Sequence, residues 1–463
     1  MENEALLEKF DTLVQERNFQ ELAVYLDDQL ITDIAELVRE EPEQASIVIS
    51  HLSIGRAAAA FRILDFPDQE DIIQSLPAGK VAELLNELPA DDRAAFLGEL
   101  PSAALTELLK LLDPEERKIT LSLLGYPENS VGRIMTPEYI SVREEWSVRQ
   151  VLDHIREHGK DSETIDVIYV IDSMGKLLDD FRIREFLLVA PETMVHTLMD
   201  DRFVSLHAND EQEEAIQVFR MENRVALPVV DDGGVMLGIV TIDDMLWIAN
   251  EEHTEDIQRI GGTEALDEPY LDIPLFKLVR KRVGWLIVLF LGEMLTATAM
   301  GVFQDEIAKA VVLALFIPLI ISSGGNSGSQ ASTLIIQAMA LGEINLADWW
   351  KVMRREILSG LLLGGALGCI GFIRIIIWEQ LFHTYHGHAT LIGATVGLSL
   401  IGVVLWGTLS GSMLPLLLKK LGADPATSSA PFVATLVDVT GLLIYFTVAY
   451  FFIFHAGTIP KGL

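Results

Sequence analysis

A single cysteine, Cys369, stands in 463 residues, so a disulfide scaffold is excluded. Basic side chains are scarce as well. Lys and Arg number 34 against 68 Asp and Glu, for a formal net charge of -34. That imbalance argues against nucleic acid as a partner and in favour of cations. No HExxH string, no Walker A string and no nucleophile–base arrangement is present, so nothing points to an enzyme. No signal peptide is expected at the start, because MENEALLEKF leads into acidic helical sequence.

The shortage of basic residues is confined to one part of the chain. Residues 281–463 hold 9 acidic and 10 basic side chains, whereas residues 1–280 hold 59 acidic and 24 basic ones. The acidic part therefore precedes a near-neutral, strongly apolar third. There, residues 283–303, 310–322, 358–378, 390–418 and 431–454 form long apolar runs. Several exceed the roughly 20 residues that a helix needs to cross a bilayer. Five spans are expected, the second extended through a Gly/Ser break at SSGGNSGSQAST, residues 322–333. Arg280, Lys281 and Arg282 precede the first span, Lys351, Arg354 and Arg355 the third, and Lys419 and Lys420 the fifth. The loop at 379–388 has no Lys or Arg. The basic side should be cytoplasmic, which makes the acidic 280 residues cytoplasmic and the C-terminus external. Lys461 is a minor exception at the outer end. A multi-pass protein of the cell (inner or plasma) membrane is the expectation.

The apolar third carries polar groups that hydrocarbon does not favour. Glu293 lies in the first run and Asp438 in the last. A carboxylate at mid-membrane costs roughly 3 kcal/mol on insertion scales, so it faces protein or a water path. It either makes a helix–helix hydrogen bond as a neutral acid or serves a cation. Thr435 and Thr440, with small neighbours Ala434 and Gly441, leave room for a hydrated ion near Asp438. Backbone around Pro431 could add carbonyls. Gly324, Gly325, Asn326 and Gly328 suit either a broken helix or close packing between spans. LSGLLLGGALGCIG at 358–371 reads as a packing face, and His383, His386 and His388 beside Tyr385 as an exposed loop. Arg374 is the only basic residue well inside a span, which counts against an anion carrier.

Upstream, Leu76-Pro77, Leu88-Pro89 and Leu100-Pro101 recur every 12 residues, and Asp113-Pro114 nearly continues the series. Each Pro fits the first turn of a short helix, and such helices must stack to be stable. An all-α superhelix over residues 1–130 follows, chiefly a packing module. Its acidic pair Asp91 and Asp92 is a candidate divalent-ion contact at an interface. Residues 131–250 hold a duplication. MTPEYISVREEWSVRQVLDHI with IDVIYVIDSMGKLLD is followed by LMDDRFVSLHANDEQEEAIQVF with NRVALPVVDDGGVMLGIVTIDDML. Each copy reads strand, helix, two strands joined by an Asp/Gly turn (DSMG or DDGG), then helix. This resembles a tandem pair of CBS domains. The resemblance implies a possible adenine-nucleotide site in the second copy, such as ATP, at Gly238, Thr241 and Asp244. The first copy departs from that pattern with Asp179, Asp180 and Phe181.

Residues 251–280 then read as a linking segment. WIANEEHTEDIQRIGG sets Glu251 and Glu255, and Glu252 and Asp256, one helical turn apart. With Asp243 and Asp244 two to three turns earlier, the cluster is a candidate site for Mg2+ or another hard divalent cation. Pro269 and Pro274 argue against one unbroken helix through this stretch.

The order as a whole, with PLIISSGGNSGSQASTLIIQA at 318–338 and GADPATSSAPFVATLVDVTGL at 422–442, resembles the MgtE family of magnesium channels. The expected architecture is a multidomain membrane protein: helical N-domain at 1–130, α/β CBS pair at 131–250, linking helix at 251–280 and a five-helix domain at 281–463. The resemblance implies a homodimer with one pore on its axis. It implies that Asp438 faces the ion from both subunits and that Asp424 lies near the cytoplasmic mouth. It implies further that the linking helix is a plug, closed when cytoplasmic Mg2+ is abundant. Transport of Mn2+ or Co2+, or of an anion, is the competing reading.

Overall fold

The computed structural model describes residues 2–266, 270, 271, 273–304, 311–385 and 387–454. Pro269, His386 and Lys461 lie outside the described residues. The chain divides into two compact units, Met1–Asn250 and Glu251–Leu463.

In the first unit, the described residues form ten short α-helices from Glu2–Gln15 to Pro114–Leu123. The Leu-Pro repeat works at their corners. Pro77, Pro89 and Pro101 are the N-caps of the helices Ala78–Glu87, Ala90–Glu99 and Ser102–Leu108, while Pro114 is the first helical residue after Asp113. Three of the four prolines thus stand one position earlier than expected. The ring's fixed φ suits the extended cap equally well, since these residues have φ of -60°, -48° and -56°. Leu76, Leu88 and Leu100 just before them are all buried in the core that also holds Leu84, Leu85 and Phe61. Each buried leucine contributes about 1.5–3 kcal/mol, so every corner of the repeat is also a core contact.

The duplicated segment forms two three-stranded sheets. β1 (Tyr139–Val142) runs parallel to β2 (Thr164–Ile171), which is antiparallel to β3 (Leu177–Arg182). β4 (Leu206–His207), β5 (Ala226–Val230) and β6 (Met236–Thr241) repeat that topology. In the turns, Asp172 Oδ1 accepts from the Met174 and Lys176 N–H groups, and Asp231 Oδ1 accepts from Gly233 and Val235. Gly175 and Gly234 take the left-handed φ that each turn requires. The two turns meet: Leu177 N–H donates to Gly234 O at 3.0 Å, and Met236 N–H donates to Gly175 O at 2.9 Å.

The linking helix differs from its expected bounds of 251–280. It runs Ile242–Ile260, beginning directly after β6, and ends at Gly261 and Gly262. Gly262 has φ +78°, which stops the helix. A separate helix, Leu275–Val302, starts behind Pro274 as its N-cap. The first span therefore begins eight residues before 283, because Pro274 starts a helix here as well as preventing a continuous one.

Among the described residues, five helices are long and apolar enough to cross a membrane: Leu275–Val302, Val311–Ala340, Leu346–Phe382, Ala389–Lys420 and Ala430–Phe452. They are called the first to fifth spans below. The expected break at the Gly/Ser string is absent, since Ile317–Ala340 is one continuous helix. The interruption falls earlier, at Leu315 and Phe316, ahead of Pro318. Pro318 lacks the N–H that would have closed the preceding turn. The glycines serve packing. A Cβ on Gly328 would lie 2.9 Å from Val433 Cγ1 and 3.0 Å from Gly407 O, so only glycine lets the second, fourth and fifth spans approach this closely. The 358–371 stretch likewise faces the fourth span through Gly360, Gly364 and Gly368.

Candidate functional site

The two strings that single out the apolar third are neighbours in space. Ser329 Oγ donates to Ala430 O and Ser332 Oγ donates to Ser428 O, both at 2.9 Å. Ser429 caps the fifth span and accepts from Trp285 Nε1 of the first span at 3.0 Å. Three spans are thus joined at the point where the fifth helix begins. Two to three turns further on sits Asp438, half-buried. A Cβ on Gly325 would stand 3.5 Å from Asp438 Oδ1, and Glu293 of the first span is within electrostatic reach of the same carboxylate. Glu293 itself is exposed on a helix that packs mainly against the fifth span. Asn326 is exposed.

The hydroxyls near Asp438 are already engaged within the fold. Thr435 Oγ1 donates to Pro431 O at 3.0 Å, and Thr440 Oγ1 donates to Leu436 O while accepting from Trp406 Nε1. The Pro431 carbonyl that sequence reasoning offered to an ion is therefore bonded to Thr435. Arg374 lies over the Trp378 ring at 4.8 Å, well along the third span.

A second carboxylate group lies inside the first compact unit. Asp91 and Asp92 open the helix Ala90–Glu99, and Asp243 and Asp244 open the helix Ile242–Ile260. Glu163, just before β2, joins them, and Arg62 stands between. Arg62 Nε lies 2.9 Å from Asp92 Oδ2, and Arg62 Nη1 lies 3.9 Å from Glu163 Oε1. Burial, then Asp92, Asp244 and Glu163, push Asp91 well above the ordinary carboxylate range. Burial pushes Asp92 up to about 6, with Arg62 opposing. Asp244 and Glu163 are also raised, chiefly by burial. Asp91 Oδ1 is buried without a hydrogen-bond partner. Sequence reasoning found the four aspartates and missed Glu163 and Arg62, which no local periodicity connects to them.

Among the described residues, no three His, Cys, Asp or Glu side chains close on one point as a metal centre would require. Mg2+ is commonly held by one or two carboxylates and its own waters. The orphaned Asp91 oxygen, beside the carboxylates of Asp92 and Asp244, fits that mode.

The nucleotide pattern of the second copy is partly committed to the fold. Thr241 Oγ1 donates to Asp244 Oδ2. Gly238 is needed for packing, since a Cβ there would lie 2.5 Å from Thr136 O, beside the paired hydrogen bonds of Thr136 and Ile239. In the first copy, Asp179 accepts the Asp200 and Asp201 N–H groups, and Asp180 pairs with Arg224.

Within the second unit, the end of the linking helix meets the loop before the fifth span. Arg259 bridges Glu255 and Asp424. Asp424 also caps its own turn, accepting from Ala426 N–H at 2.8 Å. Burial, then Asp424 and Glu252, push Asp256 up to about 6. The structure thus brings Glu252, Glu255, Asp256 and Asp424 together around a cation of its own, Arg259, which sequence reasoning overlooked. Its signal is present in the chain: Arg259 is the lone Lys or Arg in the acidic stretch 251–260.

Membrane-length helices carrying embedded acids, continuous in sequence with a CBS pair and a helical acidic portion, define a multi-pass membrane protein of the transporter class. Residues 317–448 match the family described as MgtE, divalent cation transporter. Residues 30–129 match the MgtE intracellular N domain, and residues 131–189 and 195–250 match CBS domains. The magnesium transporter MgtE of Thermus thermophilus is 39% identical over 342 residues, 74% of each chain. Those of Enterococcus faecalis and Bacillus subtilis are 31% and 30% identical, over 73% and 74% of this chain and 72% and 74% of theirs. Among solved structures, the cytosolic domain of the Mg2+ channel MgtE in complex with ATP is 32% identical with a TM-score of 0.51. That likeness covers 52% of this chain and 99% of the other. The chain belongs to the MgtE family of divalent cation transporters.

Proposed function

We propose that this chain moves Mg2+ across the cytoplasmic membrane as a homodimer and is closed by Mg2+ on its cytoplasmic, acidic side. The observation that carries the reading is Asp438, a half-buried carboxylate in the fifth span beside Gly325, with Glu293 in reach. Two symmetry-related Asp438 residues supply charge without enclosing the ion, so a hydrated cation is attracted and still released. The magnesium transporters named above support Mg2+ as the cargo. On the cytoplasmic side, Asp91, Asp92 and Asp244 would hold a regulatory ion through one or two carboxylates, and Glu251, Glu252, Glu255 and Asp256 would add weaker sites on the linking helix. Bound there, the ion offsets the repulsion among these acids. Asp424, bridged by Arg259, belongs to the cytoplasmic mouth in this reading. Flux of Mg2+, Mn2+, Co2+ and Ca2+ into liposomes, scanned against Mg2+ on the cytoplasmic face, tests it. Chloride or phosphate flux in place of cation flux would overturn it.

ATP binding at Gly238, Thr241 and Asp244 of the second CBS copy belongs to the same proposal. Its support is the ATP complex of the related cytosolic domain. Asp244→Ala should weaken ATP binding in calorimetry at fixed Mg2+. Absence of heat from the unaltered protein at millimolar ATP would reject nucleotide regulation.

A further inference from the structure

One groove in the apolar unit is lined by none of the carboxylates described above. It measures about 840 Å3 and lies between the start of the third span, the second half of the fourth and one turn of the fifth. Trp406, Ser410, Met413, Leu417 and Lys420 line it at alternating steps of four and three residues, which is one face of the fourth span. Leu346 and Trp349 form its rim from the third span, and Leu436 faces it from the fifth. Its walls are apolar apart from Ser410 and the charged end at Lys420. Trp349 is 52% exposed and Leu417 is 52% exposed, so the groove opens sideways.

Charge is what selects the occupant. Lys351 near the rim is held by Asp348 at 2.7 Å. Lys420 is exposed and has no carboxylate partner among the described residues. Lys419, Arg354 and Arg355 lie toward the same ends of their helices, so the groove's mouth is basic. A second copy applied to this face about a twofold axis would bring like charges together. A molecule with one anionic head and two apolar chains has the complementary pattern. Basic pockets between spans on the cytoplasmic side are suited to anionic lipid heads, and Trp belongs at that depth.

We propose that this groove is a binding site for one anionic phospholipid, with its phosphate at Lys420 and its acyl chains along Trp406, Met413, Leu417 and Leu436. The proposal is independent of which ion the chain carries. The full-length protein in detergent would be studied by native mass spectrometry with phosphatidylglycerol or phosphatidylcholine of identical chains. Unaltered protein should retain the glycerol lipid in preference. Lys420→Gln should lower that retention about fivefold, the worth of one Lys near an anionic surface, and leave phosphatidylcholine unchanged. Lys419→Gln, on the basic surface beside the groove and not in its lining, should lower that retention much less than Lys420→Gln does. Ser410→Trp, which fills the groove, should lower retention of both lipids. If that variant does not fold, the Lys420 and Lys419 pair still decides the matter. Equal retention of the two lipids, or equal effects of the two lysine variants, would overturn the proposal. So would displacement of the lipid by inorganic phosphate at equal concentration. Disulfide formation between copies of a Ser410→Cys, Cys369→Ser variant in lipid-replete membranes would assign the groove to a second copy instead.

Discussion

At the scale of single residues, the informative feature is which acids are placed at a cost and which are not. Asp438 is half-buried among apolar helices, with the acidic Glu293 in reach. Asp438→Asn keeps the volume and removes one charge per subunit. Mg2+ flux in liposomes should fall nearly to background while the protein still elutes as an assembled species. Glu293→Gln should do less, because that side chain lies on the first span, beside the carboxylate and not at it. Normal flux and selectivity in Asp438→Asn would remove this residue from the path. Asp92 makes a different prediction. Its carboxyl is raised from 3.8 to about 6, by burial first. A raised folded value means that the folded state binds the proton more tightly than the unfolded chain. Stability is then fully present below about pH 4 and is lost as pH rises through about 6. A shift of that size is worth about 3 kcal/mol before the coupling to Asp91 and Asp244 is shared out. In Mg2+-free buffer, amide protection over Ala90–Glu99, corrected for intrinsic exchange, should therefore fall between about pH 5 and pH 7.5. Millimolar Mg2+ should restore it at the higher pH. Protection that does not change with pH would show that these acids carry no such strain.

At the scale of elements, periodicity and punctuation are enough to read the Leu-Pro repeat, both CBS copies and the five spans. Each is a local pattern: a core leucine before a proline, an Asp/Gly turn, an apolar run. What local patterns hide is of two kinds. Residues 315 and 316 are apolar like their neighbours, so the interruption before Pro318 is concealed, while the conspicuous glycines at 324–328 are helical because packing against Gly407 and Val433 holds them so. The start of the linking helix is concealed in the same way, since its first turns follow β6 without a spacer. The other kind is long-range pairing. Arg259 meets Asp424 across 165 positions, and Arg62 meets Glu163 across 101, and nothing in a local window reports either. The Arg259 bridge makes a prediction about the linking helix. Both partners are about one-third exposed, so the pair is worth about 1 kcal/mol. Arg259→Gln should raise amide exchange over residues 252–260 by about fivefold. Arg259→Lys should recover only part of it, since Lys cannot bridge two carboxylates with a planar fork. Unchanged exchange in the glutamine variant would show that the helix end is held by packing alone.

At the scale of the whole molecule, the charge asymmetry bears on the proposed closure by Mg2+. Residues 1–280 carry 59 acidic and 24 basic side chains, and a dimer would double that excess. Without cations, like-charge repulsion favours spreading of the acidic portion. In the proposed closure, each divalent ion shared between carboxylates would reduce the repulsion, so a compact state would become favoured over a range of Mg2+ set by many weak sites. One tight site would saturate too early to report a millimolar level. Moving a two-state gate from 1:99 to 99:1 takes about 5.5 kcal/mol, or roughly 1 kcal/mol from each of about six ions. Replacing Glu251, Glu252, Glu255 and Asp256 with their amides removes bridging sites and repulsion together, and the two losses act in opposite directions. Asp256, raised to about 6 by burial and its acidic neighbours, is the member most relieved by the change. Among the described residues, Arg259 would then keep only Asp424 as a charged partner. If the loss of bridging outweighs the relief of repulsion, the fourfold variant stays open at Mg2+ levels that close the unaltered channel, and that is the expected result. If the relief of repulsion outweighs it, the variant closes at lower Mg2+. Single-channel open probability against cytoplasmic Mg2+ separates the two. A closing curve identical to that of the unaltered protein would remove this cluster from the proposed sensor altogether.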